Sequence, residues 1–361
     1  MNGLSVALVV SVSFASMASL AVAQDQRLVE AVERQDRDAV RTLLAQSVDV
    51  NAPQPDGATA LHWAAHWNDL GTATQLIRAG ANVNAVNELD VTPLSLSALN
   101  ASAGMADALL RAGADPNAAR SSGETVLMTG ARTGNAELVL ALLAAGADVQ
   151  GSAHFQRQTP LIWAAAEGHA HVVQVLLEAG ADVHARSKHG TTALLLAARH
   201  GTVDTARVLL GAGADVNAAE PDGTTALHWA VLRDDQDAVR QLIGAGAHAD
   251  AANRYGVTPL ALAATNGSAA LVEALLAAGA DAETASPGGD TPLMVAARTG
   301  RVDVLRLLLD AGAAVDPTET WKGQTALMWA VTQGQHQAVQ VLLDAGAQFD
   351  DADDEGDGGS V

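Results

Sequence analysis

Apolar residues along this chain fall into short runs of two alternating kinds. One reads TALHWAA or TPLMVAA, a Thr followed by a small-residue helical face. The other is denser, as in LVLALLAAGAD or VVQVLLEAGAD, and a polar break separates the two. The leading Thr recurs at Thr59, Thr92, Thr125, Thr159, Thr192, Thr225, Thr258, Thr291 and Thr325, at steps of 33 residues with two steps of 34. A fixed period of this length marks a repeat architecture, and each copy predicts a helix pair. Thr can cap the first helix, and Pro93, Pro160, Pro259 and Pro292 occupy its first turn, where a missing donor costs nothing. Nine residues after the Thr stands a residue suited to positive φ: Gly134, Gly168, Gly201, Gly267, Gly300 or Gly334, with Asn68 and Asp234 as substitutes. Ala101 is the one departure. The second helix ends at the Gly of an AGA triplet, from Gly80 to Gly346, which predicts a left-handed cap. The segment after the triplet, such as DVNAAEPDG, must carry the chain to the next Thr as a protruding finger.

These units resemble the ankyrin repeat family, whose TPLHxAA signature is fullest here in TALHWAA (59–65) and TALHWAV (225–231). The resemblance covers residues 26 to about 348. It implies an all-α solenoid of about ten stacked helix pairs with β-hairpin-like fingers, and a function of binding other proteins through the fingers and the concave helix face. A pair without the motif comes first, LVEAVERQDRDAVRTLL, with Glu30, Glu33, Arg34, Asp36, Arg37, Asp38 and Arg41 on its surface. It predicts an N-terminal cap over 24–52, before nine repeats over 53–348, and sealed ends suit a soluble solenoid. Adding 166 to the first four motif positions lands on the last four, so the repeats form two duplicated blocks. Similar surfaces are therefore expected at that offset.

Composition narrows the function. Cysteine is absent, which removes disulfides, thiolate metal sites and cysteine nucleophiles together. Net charge is −21, which disfavours nucleic acid as a general partner. Residues 1–23 carry no charge and form a Ser-diluted apolar run ending Ala21, Val22, Ala23, read as a signal peptide cleaved after Ala23. Periplasmic or secreted localisation is expected, with an uncleaved membrane anchor as the alternative. Residues 349–361 read as a solvated acidic tail, six of the last twelve residues being Asp or Glu.

Catalytic chemistry is hard to place. His62 and His66 have metal-ligand spacing, but Trp63 stands where a zinc protease carries Glu. In the family pattern the His of TPLH makes framework hydrogen bonds, which implies structural roles for His62 and His228. His169 and His171 flank a helix–helix turn. The acids after the AGA triplets, Asp115, Asp148, Asp182, Asp215 and Asp281, recur once per copy and read as turn residues. No catalytic, cofactor or metal site is assigned, and no enzyme activity is expected.

Recognition residues are easier to nominate. Trp63, Trp163, Trp229 and Trp329 fall where a large apolar side chain packs between repeats, so they read as core. Trp67 ends a first helix, whereas Phe155, Tyr255 and Trp321 fall on fingers, where aromatics favour recognition over solubility. Among only 20 Lys plus Arg, a group gathers in the third to fifth repeats: Arg120, Arg132, Arg157, Arg186, Lys188 and Arg199, with His154, His189 and His200. Arg254 and Lys322 adjoin the finger aromatics. The expectation is a monomeric, exported, non-catalytic scaffold for a protein partner with an acidic segment. An end-to-end assembling solenoid and an accessory subunit of a periplasmic enzyme are the alternatives.

Overall fold

The computed structural model describes residues 26–153 and 156–348. Residues 1–25, which include the run read as a signal peptide, His154, Phe155 and residues 349–361 lie outside the described residues. All regular structure among the described residues is helical, and each repeat is a pair of short helices such as Pro93–Leu99 with Ala103–Arg111. The N-terminal pair, residues 26–33 and Arg37–Ala45, precedes the first motif.

The motif works as local chemistry predicts. Thr92, Thr125, Thr159, Thr192, Thr258, Thr291 and Thr325 each accept from the third helical N–H through the side chain. Asn68, Asp234 and all six predicted glycines take positive φ at the turn, and so does Ala101, at +52°. The second helix closes with a 6→1 bond at every AGA triplet, as in Ala81 N–H to Leu76 O at 3.0 Å and Ala280 N–H to Leu275 O at 3.0 Å. The Leu that accepts it is itself buried, so cap and core are set by one residue.

The core runs along the inside of the pairs. The Leu two positions after each capping Thr, from Leu61 to Leu327, is at most 2% exposed, and the alanines beside it let helices pack closely. The chain forms two compact units, 1–182 and 183–361. In the first, each first helix packs on the first helix of the next copy and each second helix on the next second helix; the second unit repeats this pattern through its five copies.

The fingers are turns rather than strands. Only two, at Ala119 with Thr125 and Ala219 with Thr225, make an isolated antiparallel bridge among the described residues. They are held instead by side chains. Asn217 Nδ2 donates to Gly246 O at 3.1 Å while its Oδ1 accepts from His248 N–H at 2.8 Å, and Asn51, Asn84 and Asn117 make the same two contacts with their own neighbours. The acids before them take the predicted turn role, as Asp215 Oδ1 accepts from Asn217 N–H at 3.0 Å.

Candidate functional site

Buried histidines come first, because they are the groups best suited to hidden chemistry. His62 Nδ1 accepts from the Thr59 N–H at 3.0 Å, and Nε2 lies 3.0 Å from the Val91 carbonyl. An acceptor facing Nε2 and a donor facing Nδ1 fix the neutral tautomer protonated at Nε2. His228 repeats this between Thr225 and Val257. Burial holds both imidazoles below the ordinary value, against the upward pull of the Val91 and Val257 carbonyls. Both ring nitrogens are spent on backbone, so neither side chain can ligate a metal or move a proton for a substrate. His169 is also framework: its Nε2 lies 2.9 Å from the Arg132 carbonyl.

The tryptophans expected in the core are half-buried instead. Trp63, Trp163 and Trp329 donate Nε1–H to Gln54, Gln158 and Gln324 at 2.8, 3.1 and 3.1 Å, so the ring edge meets the finger. An arginine from the preceding first helix covers the ring in three copies. Arg132 lies 5.3 Å from the Trp163 centroid, Arg199 5.7 Å from Trp229 and Arg298 5.0 Å from Trp329. The position therefore lies between helix and finger. Its signal was in the sequence, as an Arg 30 or 31 residues before each of these rings.

Several predicted recognition cations prove to be committed within the fold. Arg120 pairs with Glu124 at 3.6 Å inside its own finger. Arg186 donates to the carbonyls of Gly190 at 3.0 Å and Ala219 at 3.2 Å, tying one finger to the next. Arg199, besides covering Trp229, lies 3.6 Å from Glu220, whose carboxyl is pushed up by burial against the pull of that arginine. Trp67 is 43% exposed, yet its Nε1–H donates to Glu33 O at 3.1 Å and its ring stacks on Trp63. Arg157, Lys188 and His189 stand exposed on fingers. Arg157 takes φ +49° in the place where most fingers have glycine.

Finger tips carry the most exposed large apolar side chains: Trp321 at 88%, Leu89 at 75% and Tyr255 at 56%. The Trp321 finger is well anchored. Glu319 accepts from the N–H groups of Trp321 at 2.6 Å, Lys322 at 2.7 Å and Gln324 at 3.1 Å. Burial works to raise this carboxyl, and the three N–H groups outweigh it and hold it below its ordinary value. An exposed indole on a fixed loop is what a recognition surface needs. The expectation that duplicated blocks present similar surfaces holds at one tip, where Pro55–Asp56 answers Pro221–Asp222, and fails at others, because Glu88–Leu89 answers Arg254–Tyr255 and Ser121–Ser122 answers Pro287–Gly288.

The family described as ankyrin repeats (3 copies) matches residues 28–120, 68–152, 98–187, 127–220, 212–286 and 260–353. No curated protein matches the chain. Among solved structures, the ankyrin repeat domain of human ASB11 is similar at 30% identity and a TM-score of 0.56, covering 61% of this chain and 98% of that one.

Proposed function

The chain belongs to the ankyrin repeat family, and from that premise we propose that it is an exported, non-catalytic scaffold that grips a protein partner by its finger tips and first-helix faces. The observation that carries the reading is Trp321, 88% exposed on a finger that three backbone N–H groups hold rigid through Glu319. An indole left in water on an ordered loop is costly unless something covers it. The groups whose protonation is perturbed all have partners within the fold: His62 and His228 lie between backbone groups, Glu319 and Asp222 accept from N–H groups of their own turns, Asp69 and Glu220 pair with Arg37 and Arg199, and Arg254 bonds the Tyr255 hydroxyl. A catalytic group would be aimed at a cavity. Export is supported by the uncharged apolar run of residues 1–23 and its Ala-Val-Ala ending. The charged N-terminal pair, bearing Glu30, Arg34 and Arg37, favours a monomer over end-to-end growth.

The test is capture from the exported fraction of the source cells on the immobilised chain, beside a variant carrying Tyr255→Ala and Trp321→Ala. A protein retained in about equimolar amount by the parent chain and lost by the variant, at unchanged unfolding midpoint, supports the scaffold. A column that retains nothing specific ends the proposal.

A further inference from the structure

Each finger of the second unit ends in a pair of residues followed by a glycine of positive φ: Gly190, Gly223, Gly256, Gly289 and Gly323. In chain order the pairs are Lys188–His189, Pro221–Asp222, Arg254–Tyr255, Pro287–Gly288 and Trp321–Lys322. A cation beside a ring alternates with a proline. In two of the three cationic pairs the charge lies over the neighbouring ring: Arg254 is 4.7 Å from the Tyr255 centroid and also bonds its hydroxyl, and Lys322 is 5.9 Å from the Trp321 centroid. All six of these side chains are exposed.

Adjacent fingers are fixed to one another at every junction. Arg186 reaches Ala219 O, Arg254 N–H donates to Asp222 O at 2.7 Å, and Thr320 N–H donates to Gly288 O at 2.9 Å. At the third junction Pro287 fills the space beside Gly256, where a Cβ would stand 2.2 Å from its Cδ; Pro221 lies likewise against Gly190. The proline tips are thus spacers. Each packs on the glycine of the cationic finger before it, leaving the cation–ring pairs as a regular, stiff row.

We propose that this row recognises an extended acidic polypeptide segment, read at every second finger. The inference rests on the scaffold reading and deepens it by naming the partner's chemistry. Packed helices lie about 8–10 Å apart, so two repeats separate the cationic tips by about 16–20 Å. An extended strand rises about 3.3 Å per residue and covers that span in about five or six residues. The fitting segment carries an acid with an apolar neighbour at that interval: the carboxylate meets the cation and the apolar side chain meets the open ring face. The tip pairs hold Lys188, Arg254 and Lys322 against Asp222 alone, in a chain of net charge −21. That contrast favours a strand touching alternate tips over a flat anionic membrane, which would also face Asp222 and the rest of the acidic surface.

The experiment measures binding of labelled synthetic peptides to the full chain by fluorescence anisotropy at low salt. One peptide carries three Asp-Leu pairs about six residues apart in a Gly/Ser/Thr background; a second has the same composition with the pairs adjacent. Phosphatidylglycerol vesicles are the third ligand. The expected result is at least about tenfold tighter binding of the spaced peptide, and at least about tenfold loss in the Lys188→Ala, Arg254→Ala, Lys322→Ala variant at unchanged unfolding midpoint. Equal binding of the two peptides, no binding of either, full binding by the triple variant, or binding of vesicles alone would each overturn the proposal. Failure here is separable from failure of the scaffold. A captured partner that the triple variant still holds leaves the scaffold standing and removes the row.

Discussion

Ala101 carries a left-handed strain that glycine avoids in six of the other repeats. Its φ of +52° is reached at this turn of the other eight repeats by Gly, Asn or Asp, and in the N-terminal pair by Gln35, and the Cβ of an L-residue there costs about 1–2 kcal/mol. Asn135 Nδ2 donates to its carbonyl at 2.7 Å, so the turn is held despite the cost. Ala101→Gly should raise stability by about 0.5–1 kcal/mol after the extra entropy of glycine in the unfolded chain is subtracted. A lower urea midpoint for the variant would show that the alanine methyl contributes more by packing than its strain removes. The misfit was legible from the repeat register alone, and the framework role of His62 and His228 from the family resemblance of their motif. Their tautomer was not, because it depends on carbonyls 29 residues away, at Val91 and Val257. That tautomer sets a pH dependence. Both histidines have folded-state values below the ordinary 6.5, so the unfolded chain binds more protons as pH falls through that value. Their contribution is whole above about 6.5 and shrinks below it. The unfolding midpoint should fall between pH 7.5 and 5.5, and His62→Gln with His228→Gln should flatten that slope. An equal slope in the double variant would assign the effect to other groups.

At the level of helix and finger, the sequence shows where elements begin and stop but not which way an intermediate position faces. Thr caps, first-turn prolines and AGA ends were readable because each is a local requirement of the backbone. The tryptophans were misread as core because spacing alone places Trp163 on an inward helical face, whereas the finger carrying Gln158 draws its edge outward. The role of Arg186 was equally hidden, since its partners are carbonyls of two fingers. The ladder at the finger bases offers a sharper test. Asn217 both donates to Gly246 O and accepts from His248 N–H, but Asp250, one copy later, accepts from Asp281 N–H at 2.7 Å and has no proton for the Gly279 carbonyl. A carboxylate at a helix C-terminus is also opposed by the helix dipole. Asp250→Asn should therefore stabilise and Asn217→Asp destabilise, each by about 1 kcal/mol. Chemical denaturation of the two variants decides it; shifts of the same sign would mean that the ladder is not what the substitutions perturb.

Across the whole molecule, the duplication preserves frame and varies surface. Glu88 N–H to Asp56 O and Arg254 N–H to Asp222 O are the same contact 166 residues apart, but one finger ends in Glu-Leu and the other in Arg-Tyr. Period and frame were legible because they repeat, and the cation–proline alternation was not, because it appears only when the tips of one unit are read together. Charge then acts on fold and binding in opposite directions. With 41 acids against 20 Lys plus Arg, the folded chain repels itself, and its ion pairs, such as Arg207 with Asp204 at 2.5 Å, lie largely on the exposed surface, where such pairs contribute little. Raising ionic strength from about 0.01 to 0.5 M shortens the screening length from about 30 Å to a few ångströms. That relieves the repulsion more than it weakens the pairs, so the urea midpoint should rise with NaCl. The same screening should weaken capture of an acidic segment by Lys188, Arg254 and Lys322. Fold stability and peptide affinity measured in one salt series should thus diverge. If both rise together, the contact with the partner is apolar rather than ionic; if the midpoint falls, local ion pairs outweigh the net charge of the chain.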